Sequence, residues 1–269
     1  MSKSKLKTPG RSVANVQKEK AGLPANFMQQ MRRQSGHGME KVTTDDLIIP
    51  RLTIIQGMSR QIQKTKPEYI KGAKVGDIVD TATQKLYEEV HFLPVFYDVV
   101  WMEWAPRGED VSLVRIHTDK SALDDCEQDD DTKQWVNQAG NSIVKTAQMY
   151  GLNLSDGGRQ SFISLSKTQF KKAKQWMTWA TSEVAEDDDG EFTPPLYFRT
   201  YKLTVKEESN KAGEWIGWVI ERDVALNKLK NAADLYARAM AFREAVMTGM
   251  AKADTRADDI DRSSGDGAM

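Results

Sequence analysis

The sequence predicts an α+β fold, mainly β with helices, and three observations carry that prediction. Stretches rich in β-branched and aromatic residues recur from Leu47 onward, punctuated by Gly, Pro and acidic turns. The strand-like RQSFISLS then feeds a helical run, SLSKTQFKKAKQWMTWA, from Ser164 to Ala180. Two further strand stretches, PPLYFRTYKLTVKEE and GEWIGWVIERD, follow it. Several strands, a helix, then a hairpin is the β-β-β-α-β-β order of an OB-like β-barrel with an inserted helix.

In chain order, residues 1–44 are rich in Lys, Gln, Ser and Gly and read as a flexible basic N-terminal arm, with a short helix around Ala25–Arg33. Order begins at DDLIIPRLTIIQGMS, where Pro50 confines the strand to an edge or a bulge. EYIKGAKVGDIVDTATQKLYEEV reads as short strands and turns around Gly72 and Gly76. EVHFLPVFYDVVWMEWAPRG is the longest strand candidate, and VSLVRIH follows as its hairpin partner. An acidic loop, DDCEQDDDTKQW, precedes SIVKTAQMYGLNL, and there is room for more than three strands before Ser166. SNKAG marks a hairpin turn between the last two strands. From Val224 to about Ala253 the pattern is helical, with Leu226, Leu229, Ala233, Tyr236, Met240 and Ala241 near one face. The expected organisation is therefore an arm at 1–44, an OB-like domain at 45–222, a C-terminal helix at 223–253 and a flexible acidic tail at 254–269.

Composition narrows the function. No apolar run reaches the roughly 20 residues of a membrane-spanning helix, and the basic N-terminus lacks the apolar segment of a secretory signal, so a cytoplasmic protein is expected. Cys126 is the only cysteine and His37, His91 and His117 are scattered, so no zinc site is expected. Consecutive aspartates at Asp124–Asp131 and Glu186–Glu191 read as solvated loops, since catalytic metals take carboxylates from rigid elements one at a time. P-loop, nucleophile-elbow and His-Glu-x-x-His motifs are absent, so neither an enzyme nor a cofactor is expected. The net charge of −1 conceals nine Lys/Arg against two Glu in Met1–Lys41, and five Asp against two Arg in Asp254–Met269. Such a chain does not coat duplex DNA by charge alone, but it can carry a local basic groove.

Aromatic residues interleaved with basic ones suit single strands, whose phosphates meet cations and whose bases stack on rings. In the opening helix, Phe170, Ala173, Met177 and Ala180 share an apolar arc, bordered by Trp176. Lys167, Lys171 and Lys174 share a second arc, and Lys172 lies beside Trp179 on a third side. An amphipathic helix with solvated lysines explains everything here except Trp179. In LYFRTYKL, strand alternation puts Tyr197, Arg199 and Tyr201 on one face, as a stacking platform or as cross-strand packing. Trp101 and Trp104 fall on opposite faces of their strand, with Arg107 in the turn that follows. The candidate DNA-binding residues are Lys167, Lys171, Lys172, Lys174, Trp179, Tyr197, Arg199, Tyr201, Trp104 and Arg107, with Lys64 and Lys71 from a basic loop around Tyr69.

At PRLTIIQGMS, GAKVGDIVDTATQKLY, FLPVFYDVVWMEWAPRG and SLSKTQFKKAKQW the chain resembles a family of tailed-bacteriophage single-stranded DNA-binding proteins, over roughly Asp45–Arg222. The resemblance implies an OB-like barrel, single-stranded DNA as partner and a role in phage DNA replication or recombination. Relatives of that kind often recruit partners through an acidic tail, but this tail lacks apolar terminal residues and carries Arg256 and Arg262. Two other classes stay open. A recombination mediator or annealing factor would pair strands through rings or filaments, and a phage structural or assembly protein would sit in virions with no nucleic-acid role.

Overall fold

The computed structural model describes residues 26–35, 37–41, 48–106, 113–130, 134–211, 213–249 and 252–253. The chain forms two compact units, Met1–Val42 and Thr43–Met269. In the first, α1 (Phe27–Arg33) is where the sequence predicts a short helix. The second contains β1 (Ile48–Ile49), β2 (Leu52–Ile54), β3 (Ile78–Asp80), β4 (Leu86–Tyr87), β5 (Val90–Trp104) and β6 (Leu113–His117). These are followed by β7 (Cys126–Gln128), β8 (Trp135–Asn137), β9 (Ser142–Asn153), β10 (Arg159–Ser166) and α2 (Phe170–Thr181). The chain continues through β11 (Ala185–Asp187), β12 (Gly190–Phe192), β13 (Arg199–Asn210), β14 (Gly213–Ala225), α3 (Ala232–Met247) and β15 (Lys252–Ala253). Acidic tail residues 254–269 and turn residue Arg107 lie outside the described residues.

The expected OB-like barrel is present as a curled antiparallel sheet. Its five main strands are β5, β9, β10, β13 and β14, with α2 between the third and fourth. β5 pairs with β9 along its length and with β13 at its start, β9 pairs with β10, and β13 pairs with β14. The gap between the third and fifth strands is filled by the N-terminal meander β2-β3-β4. On one side Arg51 bridges Phe162 in parallel, and the Phe162 N–H donates to Pro50 O at 3.0 Å. On the other side the Gln56 side-chain amide imitates a peptide. Its Nε2 donates to Ile216 O at 2.8 Å, and its Oε1 accepts from the Ile216 N–H at 2.9 Å. Pro50, which cannot donate, splits the first strand stretch into β1 and β2, as its chemistry requires.

Strand alternation sends two sets of side chains in opposite directions. Ala147 and Met149 of β9, and Ile163 and Leu165 of β10, point into the barrel with Phe92, Tyr201, Leu203 and Trp218. Ala173 and Trp176 of α2 plug this core and are 0% exposed. Gly151 has no room for a side chain, because a Cβ there would lie within 2.5 Å of the Phe92 ring and against the Leu93 carbonyl. Tyr150, Leu152 and Phe162 point outward, and α3 covers them with Leu235, Ala239, Phe242 and Ala245. Arg238 fastens the helix by donating to Gly157 O (3.1 Å) and to Gly158 O.

The C-terminal helix differs from the sequence expectation in extent and in facing. β14 runs on to Ala225, and α3 starts only at Ala232. Ala233, Tyr236, Met240 and Ala241 face solvent, while the opposite stripe is buried. Both stripes of α3 have apolar residues at helical spacing, and only the docking surface of β5, β9 and β10 chooses between them.

Candidate nucleic-acid interface

The connection between the first and second barrel strands is not a loop but an arm. Beyond Val99, β5 and β9 continue past the barrel as a paired ribbon, and β6 joins β5 while β8 joins β9 and β7 joins β8. Because side chains alternate along strands and paired residues share a face, the arm has two distinct surfaces. Val100, Met102 and Trp104 pack with Leu113, Ile116 and Val144 in a small core of their own. The opposite face continues the barrel-lining side of β9 and carries Trp101, Glu103, Ile143 and Lys145. Cross-strand partners add His117 opposite Trp101, Arg115 opposite Glu103, and Trp135 opposite Ile143.

This second face runs into the start of α2. Lys145 Nζ stands 5.2 Å from the Trp101 ring centroid and 5.2 Å from that of Phe170, the first residue of the helix. Lys174, one turn on, stands 5.5 Å from the Phe170 ring. Arg115, Lys145, Lys171 and Lys174 are exposed, and Trp135 is 37% exposed. Glu103 is the carboxylate within this face, and it is fully used. Its Oε1 accepts from Asn137 Nδ2 (2.8 Å) and Asn141 Nδ2 (2.7 Å), and its Oε2 lies 2.8 Å from His117 Nε2. Burial pushes the Glu103 carboxyl up, but the hydrogen bonds from Asn141, His117 and Asn137 outweigh it and hold the group below its ordinary range. Glu103 thereby ties β5, β6 and β8 together, and with it satisfied the exposed charges Arg115 and Lys145 on this face are cationic.

A family model described as the Pam3 phage gp34-like protein matches residues 17–252. The chain belongs to the Pam3 phage gp34-like family. Among curated proteins and among solved structures, nothing matches. The arm and the barrel of this gp34-like chain both lie inside the matched span.

The structure sorts the sequence-predicted residues of the gp34-like chain into three groups. Lys171 and Lys174 are exposed on α2, and Lys174 joins the arm cluster through the Phe170 ring, while Lys64 and Lys71 are exposed on the β2–β3 loop. Lys167 is exposed too, but in a 3-10 turn before the helix, with φ +48°, so it does not share a helical arc with Lys171. Tyr197 sits in the 3-10 turn Leu196–Phe198 rather than on the strand, half-buried against the α3 core and edge-on to Tyr236 at 5.8 Å. Trp179 is half-buried on the barrel core under the Arg222 guanidinium, 5.8 Å from its centroid.

Four expectations are corrected. Tyr201 is 1% exposed inside the barrel and Trp104 is 5% exposed in the arm's core, so neither ring has a face to offer. Arg199 is bound to Glu183 through Nη2 and Nε and to Asp223 O at 2.7 Å. Lys172 crosses over Gly217 to donate to Glu208 Oε1 at 2.7 Å and to Trp218 O. Sequence reasoning missed Lys145, Arg115 and Trp135 altogether. It also preferred Trp104 to Trp101, whereas its placing of Phe170 in the apolar arc holds, since that ring packs on the barrel core. The available signal was Trp101 and Trp104 on opposite faces, which identifies one displayed ring without saying which.

The Lys172–Glu208 pair is structural and pH-sensitive. Burial lowers the Lys172 ammonium, with Glu208 pulling against it. Burial also pushes Glu208 up, but hydrogen bonds from Lys172, Gln169 and Trp215 overcome it and hold the carboxyl below its usual range. Each partner's side chain is about one-seventh exposed, at 13% and 14%. Lys172→Met leaves Glu208 charged and short of its main donor, so a loss of about 2 kcal/mol is expected at neutral pH. A depressed carboxyl contributes stability above its unfolded pKa of about 4.3 and loses it as pH falls through the folded value. The gap in unfolding free energy between wild type and Lys172→Met should therefore narrow on acidification below about pH 4, as read by urea denaturation across pH. A gap that stays constant would show that Glu208 is not the group being stabilised.

Proposed function

We propose that this protein is a non-enzymatic single-stranded DNA-binding protein acting in phage DNA replication or recombination, in the host cytoplasm, with no cofactor. The observation that carries the reading is the arm face, where Trp101, Trp135 and Phe170 are interleaved with Arg115, Lys145 and Lys174, with Lys171 exposed next to Phe170 on α2. Single strands are gripped by this combination of ring faces and cations without sequence preference. OB-like barrels use the outer face of their second and third strands and the loop joining the first and second. Here α3 occupies part of that outer face, through Tyr150, Leu152 and Phe162. The arm stands where that loop would be, and it presents rings and cations together. No helix among the described residues is long and apolar enough to cross a membrane.

Tryptophan quenching by oligo-dT, measured against duplex DNA at two salt concentrations, tests the proposal. Quenching should favour the single strand. With about four phosphates neutralised, log K should fall against log salt with a slope near −3. Salt-independent binding, or equal quenching by duplex DNA, would sink it.

A further inference from the structure

Lys145 Nζ is over two ring faces at once, and the rings come from different elements. Trp101 is half-buried within the β5–β9 pairing, and Phe170 packs on the barrel core. Two anchored rings therefore turn their faces to a single point, filled by the tip of an exposed, flexible side chain. Aromatic pairs sit with centroids about 4.5–7 Å apart, and the 5.2 Å distances from that point to both rings fall within this range. A flat ring in the place of the ammonium would lie within contact range of both ring faces. An exposed cation over a ring gains only a few-fold in equilibrium constant, whereas stacking a base gains roughly five- to a hundredfold. Exchange of one for the other is favourable, and a strand that delivers a base delivers a phosphate for the displaced ammonium.

We propose that Trp101 and Phe170 form a slot for one nucleobase, in which Lys145 is a placeholder that swings onto a neighbouring phosphate when the base enters. The slot rests on the reading of the arm as a single-stranded DNA site. Its test compares oligo-dT with a strand of equal length built wholly from abasic sugar-phosphates, which keeps the charges and removes the rings. Wild type should prefer oligo-dT by about tenfold or more. Trp101→Leu and Phe170→Leu retain apolar packing without a flat face, and each should cut that preference about fivefold or more. Lys145→Ala should weaken both strands alike, leave the preference unchanged and reduce the salt slope by about 0.7. An unchanged preference in both ring variants overturns the slot, as does a Lys145→Ala effect on preference rather than on slope. If wild type does not bind oligo-dT at all, the reading of the arm falls and the slot falls with it.

Discussion

Replacing Arg115, Lys145, Lys171 and Lys174 together by glutamine is expected to lower oligo-dT affinity by about a thousandfold at roughly 50 mM salt. The same change should flatten the salt slope from about −3 towards zero. The magnitude follows from counterion release. Each phosphate neutralised on a single strand contributes about 0.7 to the slope, and the gain grows as salt is diluted. None of the four cations has a carboxylate partner among the described residues, so removing them leaves no buried charge unpaired. Unfolding temperature should accordingly stay close to wild type, and fluorescence titration at several salt concentrations reads the affinity. The Lys172→Met protein is the counter-example, since its lysine is spent on Glu208 and its affinity should not move. If the quadruple variant keeps the wild-type slope, the phosphates are held elsewhere, with Lys64 and Lys71 on the β2–β3 loop the first residues to examine.

The contrast between Lys171 and Lys172 shows what was legible in the sequence and what was not. Local pattern was sufficient for the long strands, the hairpin at SNKAG, the helix after RQSFISLS and the barrel order, because each depends on neighbours within a few residues. The number of strands before α2 was not legible, since β7 and β8 are three residues each and lie within acidic, turn-like sequence. The role of each cation depended on distant partners. Lys172 turns inward because Gly217, 45 residues further along the chain, leaves a channel to Glu208. Arg199 is spent because Glu183 lies within reach. Lys145 becomes a site residue only through its register opposite Trp101, which is set by the β5–β9 ladder. Likewise, alternation put Trp101 and Trp104 on opposite faces, but which face is core is decided by Leu113, Ile116 and Val144.

Trp176→Ala should destabilise the barrel by about 3–5 kcal/mol, the largest single-residue loss expected in this fold. For a domain of this size that corresponds to a fall in Tm on the order of 10 °C or more. The side chain is fully buried at the point where α2 closes the barrel. It meets Phe92 edge-on at 6.1 Å and lies tilted over Tyr201 at 5.1 Å, so it joins the first and fourth barrel strands to the helix. Trp176→Phe keeps a ring between Phe92 and Tyr201 and should lose less than half as much. The same plug fixes Phe170 at the head of α2, beside Lys145. Thermal denaturation of the two variants, followed by oligo-dT titration of each while folded, separates the plug's two consequences. Stability should fall in the order wild type, Trp176→Phe, Trp176→Ala. Affinity should fall only where α2 is no longer held against the barrel, and an alanine variant as stable as wild type would show that α2 does not close the core.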